Sequence, residues 1–170
     1  MKISTVLVLL VAVASGPFAV PGNAKSSSAP YSITIAAPQN PVEAGSEVAV
    51  DIVVTNTSDH EIVVSRSNAE KRAELSGYTV EVWDQKQRLT PESEYGLELK
   101  GQGTPAGPVV TVNSDLLFTL QPGKQLKDIL IVSKLRDMSR PGTYTVQVQL
   151  SRPETGLLVK SNKITVTVIP

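Results

Sequence analysis

From Leu135 to Leu150 the chain reads Leu-Arg-Asp-Met-Ser-Arg-Pro-Gly-Thr-Tyr-Thr-Val-Gln-Val-Gln-Leu, and few folds accept that string. Proline at the second position of a turn pre-sets φ, and glycine beside it tolerates positive φ, so Pro141-Gly142 predicts a tight reversal. After it Tyr144, Val146, Val148 and Leu150 alternate with Thr145, Gln147 and Gln149. Period 2 means a strand with one dry face and one wet face. Before the turn, Leu135 and Met138 stand three apart, so one helical turn would set both on the same side as a plug for the end of a layered core.

These residues resemble strand F and the preceding turn of immunoglobulin-like domains. The resemblance makes Tyr144 a tyrosine corner, its ring buried and its hydroxyl bonded to upstream backbone. The chain has no cysteine, so the inter-sheet disulfide of that family is missing. The expected fold class is all-β, an immunoglobulin-like antiparallel β-sandwich over residues 31–170.

The N-terminus predicts export. Met1-Lys2 precedes an apolar run from Ile3 to Val13, and Gly22-Asn23-Ala24 closes the segment with small residues. This is the layout of a secretory signal peptide over residues 1–24, with cleavage expected after Ala24 and Ala14 or Ala19 as alternatives. The run is shorter than the roughly 20 apolar residues that cross a bilayer. No membrane anchor is expected after cleavage, and the expected location is secreted or periplasmic. Residues 25–30, Lys-Ser-Ser-Ser-Ala-Pro, read as a flexible lead-in. Without Lys2 the chain carries 15 basic and 16 acidic residues. That balance offers no basic face, which argues against nucleic acid as a partner. With no thiol, stability must come from the core, and a chain of this size buries about 70% of its unfolded surface.

Strands are predicted over Tyr31–Ile35, Glu47–Thr57, His60–Arg66, Gly77–Asp84, Asp115–Leu120, Leu126–Val132, Tyr144–Leu150, Leu157–Lys160 and Lys163–Ile169. In the second, Val48, Val50, Ile52 and Val54 face inward. Asn56-Thr57-Ser58-Asp59 is a turn with side-chain to main-chain bonds available. Asn68–Leu75 has capping-box spacing for one or two helical turns. Residues 91–114, with three prolines and four glycines, form the longest irregular excursion, and Gly96–Lys100 and Val109–Val112 are candidate short strands inside it. Long excursions on a rigid frame often carry function.

Chemistry has few residues to work with. His60 is the single histidine, and His60-Glu61 departs from a zinc-binding His-Glu-x-x-His because position 64 is Val64. With one histidine and no cysteine, neither a Cys–His pair nor a Gly-x-Ser-x-Gly elbow exists. Glu92/Glu94 and Glu70/Glu74 are carboxylate pairs in polar surroundings, without the desolvation that catalysis requires. Asp51, Asp59 and Glu61 lack the dense loop of a calcium site. Trp83 and Tyr78 have opposite strand parity and do not form a sugar platform together. Asn56-Thr57-Ser58 spells a glycosylation sequon. No catalytic, cofactor-binding or metal residue is therefore assigned, no cofactor is expected, and an enzyme is not expected.

Two families share longer strings with this chain. Val54-Thr55-Asn56-Thr57-Ser58-Asp59, Leu120-Gln121-Pro122-Gly123-Lys124 and Lys134 through Val146 resemble the secreted Ig-like domain upstream of the catalytic domain in deuterolysin-type zinc peptidases. The catalytic domain has no counterpart in these residues, so peptidase activity is not carried over. Tyr78-Thr79-Val80-Glu81-Val82-Trp83-Asp84, with an Asn-x-Ser turn, a Pro-Gly turn and a Gly-x-Tyr strand, is similar to the small β-sandwich proteinase inhibitors of bacilli. With no catalytic set and loops at 91–114 and 65–76 to supply contacts, the expected function is a non-catalytic extracytoplasmic binding or interaction module of unknown specificity, its partner a protein rather than a glycan. The alternative is a stand-alone protease inhibitor or pro-region-like domain. Edge-strand donation between chains is a further option.

Overall fold

A computed structural model of the protein describes residues 29–66, 78–100, 102, 116–152 and 157–170. The predicted leader, the capping-box segment at Asn68–Leu75 and the candidate strand at Val109–Val112 lie outside the described residues.

The fold is all-β. Nine strands are described: β1 Tyr31–Ala36, β2 Val42–Glu43, β3 Ala49–Asn56, β4 Ile62–Arg66, β5 Tyr78–Trp83, β6 Leu116–Leu120, β7 Gln125–Ile131, β8 Gly142–Arg152 and β9 Leu157–Ile169. Two short helices accompany them, α1 Glu94–Leu99 and α2 Val132–Leu135. One sheet has the order β1-β3-β7 and a second the order β2-β9-β8-β5, while β4 and β6 form a separate antiparallel pair. Part of this sheet structure curls as a half-barrel.

The alternation read in the sequence sets which faces are dry. In β3, Val50, Ile52 and Val54 are buried and their neighbours only half-buried. In β8, Tyr144, Val146, Val148 and Leu150 are buried with them, and both sheets contribute to one apolar cluster. Each such Val, Leu or Ile side chain contributes about 1.5–3 kcal/mol on transfer from water. The Tyr144 hydroxyl donates to the Arg140 carbonyl at 2.7 Å, as a tyrosine corner requires.

Side chains also finish the sheet borders. On the free side of β1, Asn162 accepts from the Ile35 amide at 2.8 Å and donates to the Ile35 carbonyl at 3.0 Å, so one amide stands where a neighbouring strand would pair. Asn40 does the same on β9, accepting from Thr167 N at 2.9 Å and donating to Thr165 O at 3.2 Å. Asp128 accepts from the Ile129 amide at 2.9 Å on β7. Unpaired strand edges invite foreign strands, and such plugs remove the invitation.

Three expectations are corrected. Gly96–Lys100 is not a strand: residues 94–99 form α1, because Ser93 accepts from Gly96 N at 3.0 Å as an N-cap and Glu94 stabilises the first turn. Leu157–Lys160 and Lys163–Ile169 are one strand. Ser161 and Asn162 sit at a register shift opposite Val148, and Ser161 Oγ accepts from Val148 N at 3.0 Å, so polar residues that looked like a break keep the ladder satisfied. The helical turn before the reversal is Val132–Leu135; Met138 lies beyond it, yet is buried in the core, with Leu135 packed against that core.

Candidate functional site

The candidate site is the end of the molecule where residues 84–99 meet residues 133–144. It begins with a turn. After β5, Asp84 accepts from the amides of Lys86 at 2.8 Å and Arg88 at 3.0 Å through one oxygen. Its other oxygen takes Nε and Nη2 of Arg88 at 2.9 and 2.7 Å. These bonds, led by the Arg88 amide, hold the Asp84 carboxyl below its ordinary pKa. Gln87 adopts φ 59°, which closes the turn. Thr90 N then donates to Val82 O at 2.8 Å, so the chain returns along the border of β5.

Residues 91–93 next lie against 135–137. Asp137 N donates to Pro91 O and Ser93 N to Leu135 O, both at 3.0 Å, around a bridge between Glu92 and Arg136. Arg136 locks this crossing. Its Nε donates to Val80 O at 3.1 Å, its Nη1 to Thr90 O at 3.2 Å, and its Nη2 lies 3.3 Å from a Glu92 carboxylate oxygen. Both side chains are largely shielded, at 13% and 17% exposure. The same Glu92 oxygen also meets Lys100 Nζ. Planar guanidinium geometry suits this work, since several donors in one fork satisfy fixed acceptors together. Ser93 Oγ adds a bond to Lys134 O. Gly96 completes the fit, because a Cβ there would meet Leu135 O at 2.5 Å.

Around this clasp lie three concavities. The first, of about 480 Å³, is lined by Glu47, Glu92, Glu94 and Asp137 together with serine hydroxyls, and by no lysine or arginine. The second, of about 490 Å³, is lined by Lys86, Arg88 and Arg140 with Asp84, Asp137 and the Tyr144 wall. Pro91 and Asp137 belong to both, so they form the ridge between them. Asp137 accepts from Ser139 Oγ at 2.7 Å and Ser139 N at 3.0 Å, and these bonds lower its pKa. Burial, with Asp137 and Asp84 nearby, raises that of Tyr144. The third concavity, about 180 Å³, opens between β5 and α1 on the far side of the Glu92–Arg136 contact. Large apolar side chains stay exposed along this segment: Leu89 at 52%, Tyr95 at 39% and Leu99 at 39%.

Glu92 and Glu94 do not form a carboxylate pair. Glu92 is drawn to Arg136 and Lys100, whereas Glu94 starts α1 on the surface. Glu70 and Glu74 lie outside the described residues. His60 is exposed, and its ring Nδ1 lies 3.0 Å from the Asp59 carboxylate. No three acidic or histidine residues approach closely enough to hold a metal ion among the described residues. Trp83 carries Lys163 Nζ 4.5 Å above its ring, and Tyr78 is buried on the other face. Asn56 is 1% exposed, and its amide nitrogen donates to His60 O at 2.8 Å and Leu120 O at 2.7 Å. The sequon nitrogen is thus an internal bracket of the folded chain, inaccessible to a glycan.

Arg136 is the site residue that sequence reasoning missed. Its only signal was a charge between Leu135 and Asp137 in a corner otherwise built to pack. No protein-family model and no curated protein matches this chain.

Proposed function

We propose that this chain is a non-catalytic, extracytoplasmic interaction module, an immunoglobulin-like sandwich that presents residues 84–99 and 133–144 to a protein partner. The observation that carries this reading is the clasp at Arg136. It fixes the start of the long excursion on the frame while leaving Leu89, Tyr95 and Leu99 exposed beside the grooves. Exposed apolar anchors rimmed by charge favour protein partners. The single cluster filled from both sheets and the Tyr144–Arg140 bond support the sandwich assignment; the likeness to the non-catalytic domain of deuterolysin-type peptidases rests on the sequence strings at 54–59, 120–124 and 134–146 alone. Export belongs to the same proposal and rests on the leader-like residues 1–24.

The test is capture from extracellular or periplasmic extract by the immobilised protein, beside a Leu89→Asp/Tyr95→Asp double variant. Specific capture lost in the variant supports the module, and equal capture by both refutes this site. A panel of secreted proteases assayed with the purified protein separates the inhibitor alternative, which requires stoichiometric loss of protease activity.

A further inference from the structure

We infer that the partner of the two large grooves is a second copy of this chain, paired about a two-fold axis near the Pro91–Asp137 ridge. The inference rests on the site proposed above and names its occupant.

The charge pattern is the argument. One side of the ridge is lined by carboxylates without a lysine or arginine, and the other carries three cations against two carboxylates. Internal pairing removes part of each set. Arg88 is held by Asp84, Glu92 by Arg136 and Lys100, and Glu47 by Lys134 at 3.2 Å. On the basic side Lys86 and Arg140 remain with no ion pair among the described residues, and on the acidic side Glu94 and the ridge carboxylate Asp137 do. All four are exposed, and Asp137, on which Arg140 of the same copy acts, comes against its own copy at the axis, a repulsion that the two groove-to-groove contacts must outweigh. Rotation by 180° about the ridge carries the acidic groove of one copy over the basic groove of the other, twice. That is the self-complementarity a two-fold interface demands. An unrelated partner would need a matching charge reversal across the same ridge, whereas this chain supplies its own. Leu89 lines the basic groove and, being 52% exposed, provides apolar surface to bury. Complementary charges of this kind set register and partner choice more than raw affinity, so the pair should be weak and salt-sensitive.

Sedimentation velocity on the purified protein tests it. The expected result is a concentration-dependent monomer–dimer equilibrium, weakened about tenfold or more between 50 and 500 mM salt by screening of the exposed charges. Two variants sharpen the test, Lys86→Glu/Arg140→Glu and Glu94→Lys, each with a thermal melt to show that it is folded. Each alone should be monomeric, because like charges then face each other. Mixed in equal amounts they should restore dimers, since every reversed charge again meets its opposite. A protein monomeric at millimolar concentration, or a dimer unaffected by either reversal, overturns the inference. Leu89-dependent capture from extract by a strictly monomeric protein would leave the interaction module standing and remove only the self-pairing.

Discussion

The two sheets end at borders closed in different chemical currencies. At the β1 border a neutral amide, Asn162, satisfies both main-chain groups of Ile35. At the β5 border a guanidinium, Arg136, satisfies Val80 O and Thr90 O and is itself neutralised by Glu92. The amide adds nothing beyond closure: it has two partners, both on one residue. The guanidinium ties three segments, 80, 90–92 and 136, and so decides where the exposed stretch 89–99 sits. A neutral plug makes a border inert, whereas a charged and paired one turns a border into a platform.

Arg136→Ala should therefore be the most damaging change. It removes two donors from partly buried carbonyls and leaves Glu92 with Lys100 alone. Losses of this kind cost about 2–4 kcal/mol when a shielded ion pair is broken from one side. Chemical denaturation would read the loss, and hydrogen exchange should show α1 and residues 89–93 opening before the core strands. If the amides of β3 and β8 lose protection equally, the clasp is not a local device and the contrast fails. Asn162→Ala should cost less, about 1–2 kcal/mol for two hydrogen bonds at a half-exposed place. It should leave exchange at residues 89–99 unchanged. Faster exchange there would mean that the two borders are coupled, against the comparison.

The sequence is explicit where one side chain's role follows from its neighbours in the chain. Val50, Ile52 and Val54 came from alternation, the Asn56–Ser58 turn with its 2.9 Å bond from turn chemistry, and the Tyr144 hydroxyl from the likeness to an immunoglobulin-like corner, and the structure agrees. It is silent where the partner is distant. Asn162 meets Ile35 across 127 positions and Arg136 meets Val80 across 56, so nothing local marks either residue. Polar residues in these places looked like ordinary loop letters. Gly96 misled for the opposite reason: glycine reads as a breaker, yet here it is the one residue small enough to let α1 touch Leu135 O. The candidate site was legible only as an address, the excursion beginning at Pro91.

Tyr144→Phe probes the corner that both borders share through β8. It deletes one hydrogen bond to Arg140 O while keeping the ring in the core, so about 1 kcal/mol should be lost, without change in exchange at α1 or β1. A loss above about 3 kcal/mol, the upper range for one bond, would show that the hydroxyl organises more than its own turn.

Acid titration gives the smallest effect and separates the turn carboxylates from the clasp. Asp84 and Asp137 have folded pKa values below the ordinary 3.8 of an aspartate, held down chiefly by the Arg88 amide and the Ser139 hydroxyl. A depressed folded pKa contributes stability that is complete above the unfolded value and vanishes as pH falls through the folded one. Stability should thus be flat from neutrality to about pH 5 and decline below about pH 4. Asp137 is exposed and Asp84 half-buried in a surface turn, so solvent screening keeps the decline shallow. Asp84→Asn should flatten it further, because the amide replacing the carboxylate no longer titrates. Under Arg136→Ala the same shallow slope should persist beneath a lower plateau, since neither aspartate contacts the guanidinium. A slope that vanished with Arg136 would place the acid-sensitive charge in the clasp itself, and the two turns would lose their claim to it.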